Sequence, residues 1–205
     1  MVRIADRIKR LGTETAFAVS AEANAFKAEG NKVYPFHLGD LNIPPTQNVV
    51  DAALKAIKEG RNGYCPNAGI PPLREVLADN INASHDTNYT MENVSIQPGG
   101  KPTIGKFLLT LMNPGDEVLY PNPGFPIYES LIEFSGGKAV PYTYVEGKGN
   151  FEFDMEGLEK SITPNTRLLI LNDLENPTGA ECSTAELEKI AQLVLKHDQI
   201  GRAHV

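Results

Sequence analysis

The run Ser95-Ile96-Gln97-Pro98-Gly99-Gly100-Lys101-Pro102-Thr103 reads as the end of an extended segment, two glycines, and a helix with Pro102 near its first position. The first N–H groups of a helix have no partner within it, and glycine removes the side chain that would hold an anion away. The helix dipole favours a negative group there by ~0.3–1 kcal/mol. Gly99, Gly100 and Lys101 are therefore candidates for seating a phosphate. A tight turn whose glycines serve geometry alone fits the same residues. Residues 100–106 also fit GxxxxGK, and Leu168–Leu171 with Asn172-Asp173 imitates the strand that accompanies it. That nucleotide signature needs Ser or Thr after its Lys to hold Mg²⁺. Phe107 stands there, followed by Leu108 and Leu109, so Lys106 belongs on the helix outside any phosphate cup.

Two further stretches place chemistry after strand-like runs. Asn113–Tyr128 ends a strand in a proline-braced loop that presents Phe125, and ligands of open α/β sheets collect at that edge. An aromatic ring there can stack on a flat ligand, although core packing is the commoner fate of Phe. In Asn172-Asp173-Leu174-Glu175-Asn176-Pro177-Thr178-Gly179, Asn176 projects an amide toward the same edge. Alone, Asn-Pro is only a turn signal.

The elements that position these residues follow from periodicity. Ile4, Ile8 and Leu11, then Val19, Ala23 and Phe26, recur at helical spacing and predict a helical arm over residues 1–30, broken near Gly12. Val33–Leu38 reads as extended and Gly39–Pro45 as loop. Val49, Val50, Ala53, Leu54 and Ile57 make an apolar stripe stopped by Gly60, and Leu73, Val76, Leu77 and Ile81 mark another helix. From Val94 onward the texture alternates. Strands are predicted at Val94–Ile96, Glu117–Tyr120, Ala139–Tyr144 and Arg167–Asn172, with helices at 102–112, 125–135, 154–162 and 183–197. Ser183-Thr184-Ala185-Glu186 has the form of a capping box. Strands separated by helices imply a largely parallel sheet with helices outside, an α/β protein.

Composition narrows the classes. The chain has 205 residues, 41% apolar and 22% charged, close to the globular average. A net charge of −7 disfavours nucleic acid, whose phosphates demand clustered Lys and Arg. Cys65 and Cys182, far apart, suit neither a disulfide framework nor a zinc site, and His37, His85 and His197 sit at no metal-ligand spacing. No apolar h-region opens the chain and no run of about 18 apolar residues occurs, so a cytoplasmic protein is expected.

Taken in order, Gly39, Tyr64, Gly69, Leu73-Arg74, Gly99-Gly100-Lys101, Pro114-Gly115-Asp116-Glu117-Val118, Phe125 with Tyr128, and Asn176-Pro177-Thr178-Gly179 form a pattern. It resembles the pyridoxal-phosphate (PLP) dependent aminotransferases of class I/II, on the fold-type-I scaffold, over roughly residues 1–198. The pairing of PGDEV with NPTG carries most of the specificity. The resemblance implies three regions: an N-terminal arm and small-domain segment at 1–45, a partial large PLP-binding domain at 46–198, and a tail at 199–205. It implies that Gly99, Gly100 and Lys101 seat the PLP phosphate, that Phe125 stacks on the pyridine ring, and that Asn176 hydrogen-bonds its phenolic oxygen. It further implies that the Gly39 backbone, with Asn176, meets the substrate. Tyr64 would reach the PLP of a neighbouring subunit, which implies a homodimer clasped by the helical arm. The expected activity is amino-group transfer between an amino acid and a 2-oxo acid.

The pattern also departs from the family. Pro usually stands two residues before the Asn of NPTG, where this sequence has Leu174. The Schiff-base Lys, the Asp that pairs with the pyridine nitrogen and the Arg that grips the substrate carboxylate are expected beyond residue 198. No catalytic residue is therefore assigned, and the chain as given is expected to be an inactive, poorly soluble N-terminal half. Gln199–Val205 resembles one reading frame of a sequencing-library adapter and is read as a non-native tail. Other PLP enzymes on this scaffold, a C–S lyase or an acyl-CoA condensing synthase, share these loops. A non-catalytic short form that pairs with full-length subunits is the reading from outside the enzymes.

Overall fold

The computed structural model describes residues 3–12, 15–36, 39, 43–147, 149–197 and 201–204, without the side chains of 15–17 and 201–204. His37, Leu38, residues 40–42 of the predicted loop, Lys148 and parts of the tail lie outside them. The chain divides into two compact units, residues 1–18 with 103–205, and residues 19–102.

The first unit is built on a parallel four-stranded sheet in the order β2-β1-β5-β6, with β1 Glu117–Pro121, β2 Lys138–Tyr142, β5 Thr166–Leu171 and β6 Gly201–His204. Successive side chains of a strand point to opposite faces, so each central strand feeds two cores. Val118 and Tyr120 of β1, with Leu168 and Ile170 of β5, pack against Ile104 and Leu108 of α4 (Gly100–Leu111) and Tyr128 and Ile132 of α5 (Ile127–Phe134). Leu119 and Leu169 face the other way. They pack on Leu158 of α6 (Met155–Ser161) and Ile190, Leu193 and Val194 of α7 (Thr184–Lys196). The α/β expectation holds, with helices on both faces.

Local chemistry sets the helix starts. Ser183 and Glu186 form the expected capping box of α7, and Asp154 accepts from the Gly157 N–H at the start of α6. Between β2 and α6 the chain makes an antiparallel hairpin of β3 (Tyr144–Glu146) and β4 (Phe151–Phe153), closed by the Gly147 N–H donating to the Asn150 carbonyl at 2.8 Å. The single strand predicted over Ala139–Tyr144 therefore breaks at Thr143. A 3₁₀ turn at Asp6–Arg10 lies on α5: the Gly12 N–H donates to Ser130 Oγ at 3.0 Å, and the Arg7 guanidinium lies 5.9 Å from the Phe134 ring centre. Helix α1 (Thr15–Ala28) continues the arm.

The second unit contains α2 (Gln47–Lys58) and α3 (Pro71–His85), both close to their sequence-predicted spans. Pro71 and Pro72 occupy the first turn of α3, where a missing N–H costs nothing. Val94–Ile96, expected as a strand, pairs with no strand among the described residues. It is tied instead by the Ile96 N–H to the Ala68 carbonyl at 2.8 Å. The buried Arg74 donates to the Val94 carbonyl at 2.9 Å and the Met91 carbonyl at 2.6 Å, and so fixes the segment leading to Gly99.

Candidate functional site

The strand order creates a site before any side chain is considered. From β1 the chain crosses by α5 to β2 on one side, and from β5 it crosses by α7 to β6 on the other. The neighbouring strands β1 and β5 thus send their following loops to opposite faces, which opens a crevice at their carboxyl ends. Phe125 follows β1 and Asn176 follows β5, so both sequence-predicted side chains arrive at that edge of the first unit.

The loop after β1 is set by shape. The Asn122 N–H donates to the Tyr142 carbonyl at 2.9 Å. A Cβ on Gly124 would lie 2.0 Å from the Pro121 carbonyl oxygen, so only glycine fits there. Phe125 is half-buried against the α4–α5 core and meets Tyr128 edge-on, with ring centres 5.8 Å apart.

The loop after β5 is set by polar bonds. Asp173 Oδ1 accepts from the Cys182 N–H at 2.8 Å, and Glu175 Oε2 accepts from the Thr178 N–H at 3.0 Å and from its hydroxyl. Leu174 is 70% exposed at φ 54°, in the left-handed region that a proline cannot enter, where the resemblance expects proline. Asn176 is exposed, whereas Glu175 is 1% exposed. In the sequence, Asp173 and Glu175 flank the Asn176 loop without forming an acid–base pair, and Glu175 is assigned no role. Its one signal was a charged residue directly before Asn-Pro, and nothing local marks such a residue as buried.

Electrostatics in this region are governed by burial. The Tyr128 hydroxyl is pushed up to about 12, first by burial and then by the nearby Glu175 carboxylate. Tyr142 and Tyr144 are also raised, mainly by burial. The Cys182 thiol is pushed up to about 12 by burial, with Asp173 adding to it. These tyrosines stay neutral hydroxyls throughout the working range of a protein.

In the second unit, Gly99, Gly100 and Lys101 lie exposed at the mouth of α4. Gly99 has φ 107°, a conformation that needs glycine, and a Cβ on Gly100 would meet nothing within 4 Å. The Gly99 N–H donates to the Gln97 carbonyl at 2.8 Å, and the space beside Gly100 lies at the positive end of the α4 dipole, which favours an anion. Tyr64 is fully exposed and Gly39 is exposed. Among the described residues no cluster of His, Cys, Asp or Glu is placed to hold a metal ion, and no helix is long and apolar enough to cross a membrane.

An open α/β sheet with an aromatic ring and a carboxamide at its switch point, in a chain that also bears a glycine-lined helix mouth, is the architecture of a cofactor-binding α/β protein. The chain belongs to the aminotransferase class I and II family, whose profile matches residues 32–200. It is 31% identical to the aspartate/prephenate aminotransferase of Thermus thermophilus, covering 94% of this chain and 50% of that one. Identity to the aspartate aminotransferase of Musicola paradisiaca is also 31%, over 97% and 50% of the two chains. Among solved structures, the Thermus thermophilus aspartate aminotransferase with maleate superposes with a TM-score of 0.91 at 30% identity, over 100% of this chain and 54% of that one. An alanine aminotransferase from Pyrococcus furiosus gives 0.91 at 28% identity, over 98% and 51%. The chain therefore spans about half the length of the curated relatives it matches.

Proposed function

We propose that this chain is the cofactor-cradling half of a PLP-dependent aminotransferase that moves an amino group between an amino acid and a 2-oxo acid. The observation that carries the reading is the delivery of Phe125 and Asn176 to the carboxyl ends of the neighbouring strands β1 and β5, in a chain of this family. The residues suit the cofactor's three parts. The uncrowded mouth of α4 at Gly99, Gly100 and Lys101 suits a phosphate, with space beside Gly100 and the positive end of the helix dipole. The Phe125 ring offers a face to a pyridine, and the Asn176 amide offers a donor to a phenolic oxygen. When bound, PLP supplies an electron sink for the charge left when an amino acid loses its α-proton.

The chain's own residues bind and orient. Phe125 limits the tilt of the ring, Asn176 sets its rotation, and the Gly39 backbone with Asn176 would meet the substrate carboxylate. Tyr64, fully exposed, suits a reach to the PLP phosphate of a second subunit, and the helical arm 1–30 suits a clasp on it, with residues 1–45 making the arm and small-domain segment. A cytoplasmic homodimer with a cofactor domain at 46–198 and a non-native tail at 199–205 completes the reading.

Titration of the chain with PLP tests it. Saturable binding is expected, weakened about tenfold by Asn176→Ala, the usual consequence of losing one hydrogen bond to a charged or polar ligand. Borohydride treatment is expected to trap no lysyl adduct, and added amino acid to give no oxo acid. Turnover by the chain alone, or binding that ignores Asn176→Ala and Phe125→Ala alike, would refute the assignment.

A further inference from the structure

Asn176 is exposed and sits in a turn, yet an amide that must meet one ligand atom needs a fixed backbone. The fixing comes from its neighbour. The Glu175 N–H donates to the Ala180 carbonyl at 2.8 Å, and its own carbonyl accepts from the Gly179 N–H at 2.6 Å. Its side chain turns the same way, with Oε2 accepting from the N–H and the hydroxyl of Thr178. Four bonds thus run from one residue to the three that follow Asn176-Pro177. Those two residues lie inside a closed hydrogen-bonded ring.

The carboxylate is otherwise a poor occupant of its site. At 1% exposure, its Oε1 has no hydrogen-bond partner, and no ion pair joins it among the described residues. Its charge reaches two tyrosine hydroxyls, Tyr128 and Tyr144, and adds to the burial that raises both. A buried carboxylate without a cation opposes stability, and an apolar residue would fill the space at no such cost. All its side-chain bonds go to Thr178, so its contribution lies in the geometry of the turn. Leu174, at φ 54°, adds strain on the other flank. The brace here is a carboxylate.

We propose that Glu175 is a positioning residue whose carboxylate, acting through Thr178, fixes the direction in which the Asn176 amide is presented. The cofactor arm of the test rests on the function proposed above; the exchange arm does not. In amide hydrogen exchange of the whole chain, Glu175→Ala is expected to raise exchange at Thr178 and Gly179 about tenfold, with β1 and β5 unchanged. Glu175→Gln keeps an acceptor for Thr178 and is expected to stay within about twofold of the parent. Thr178→Val removes the hydroxyl at the other end of the bond. It should raise exchange at the turn several-fold, and the double variant should match Glu175→Ala alone.

Exchange that rises evenly through β1 and β5, or that Gln fails to restore, would overturn the proposal by making Glu175 a general core residue. Should Glu175→Ala not fold, Thr178→Val decides, and an unchanged turn in that variant overturns the proposal equally. In the cofactor arm, the Asn176 side-chain amide resonance is followed as PLP is added. Half-saturation about tenfold higher in Glu175→Ala, and normal in Glu175→Gln, is expected. No shift in any protein alongside the expected exchange pattern would defeat the cofactor reading and leave the positioning role standing. A shift insensitive to Glu175→Ala would defeat the positioning role.

Discussion

The two loops that leave β1 and β5 do the same job by different physics. Between Pro121 and Pro126 the chain is held by shape, with three prolines, a glycine pressed on the Pro121 carbonyl, and Phe125 edge-on to Tyr128. Between Asn172 and Ser183 it is held by acceptors, with Asp173 taking the Cys182 N–H, Glu175 taking Thr178, and Glu186 taking the Ser183 N–H and hydroxyl. A loop braced by shape tolerates changes of pH but no change of volume. A loop braced by carboxylates has the opposite sensitivities. One crevice therefore has one wall that fails by crowding and another that fails by protonation.

The largest effect should come from crowding the first wall. In Gly124→Ala the new Cβ meets a backbone oxygen, which cannot rotate away as a side chain can, so the loop must move. A loss of about 2 kcal/mol or more is expected from overpacking and strain, read as a fall in the urea midpoint. An unchanged midpoint would mean that the loop is not shape-limited. Phe125→Leu, which keeps an apolar side chain but loses the edge-on contact with Tyr128, should cost about 1 kcal/mol by the same measurement.

Acid should separate the walls in the other direction. The Glu186 carboxyl is held below its ordinary value, first by the Ser183 hydroxyl and then by the N–H groups of Ser183 and Phe153, while burial opposes them. A carboxylate with a depressed folded value contributes stability above its unfolded value, near 4.5, and loses it as pH falls through the folded one. Exchange protection at residues 174–186 should therefore drop as pH falls below that unfolded value, before that at 121–128 changes, by about 1 kcal/mol for a lost cap. Glu117, lowered by Lys138 and then Thr163 at the opposite end of β1, titrates in the same sense. Simultaneous loss in both loops would erase the distinction between them.

What the sequence revealed follows the range of the forces involved. The capping box of α7 was legible because its bonds span three residues, and the placement of Phe125 and Asn176 because each follows a strand directly. Val94–Ile96 carries strand-forming residues, but pairing needs a partner from elsewhere, and none is present among the described residues. The apolar stripe of α2 announced a helix correctly, yet Val49, Leu54 and Ile57 remain about half exposed or more, because periodicity specifies a face and not what covers it. The strand that α7 calls for lies in Gly201–His204, within the segment set apart by its unusual sequence. Glu175 was illegible for a related reason. Charged residues are almost never fully buried, and nothing in the sequence around Glu175 marks it as the exception. The positions of the candidate residues after their strands are local information, whereas the hydrogen-bonded brace beside Asn176 is not.

The smallest effect is also the gentlest probe of the second wall. Cys182 sits in the carboxylate-braced loop with its N–H on Asp173 and its thiol pushed up to about 12, first by burial. Only the thiolate attacks a disulfide reagent, and a thiol titrating near 12 is on the order of one part in ten thousand thiolate at pH 8. Cys65 is exposed. Reaction with an aromatic disulfide should thus show one fast thiol and one slow thiol, with no change in stability. The slow phase should accelerate in Glu175→Ala, where the loop opens, and keep its rate in Phe125→Leu, where only the other wall is disturbed. Equal acceleration in both variants would show that the loops loosen as one body, and the division between a shape-held wall and a carboxylate-held wall would then have no physical content.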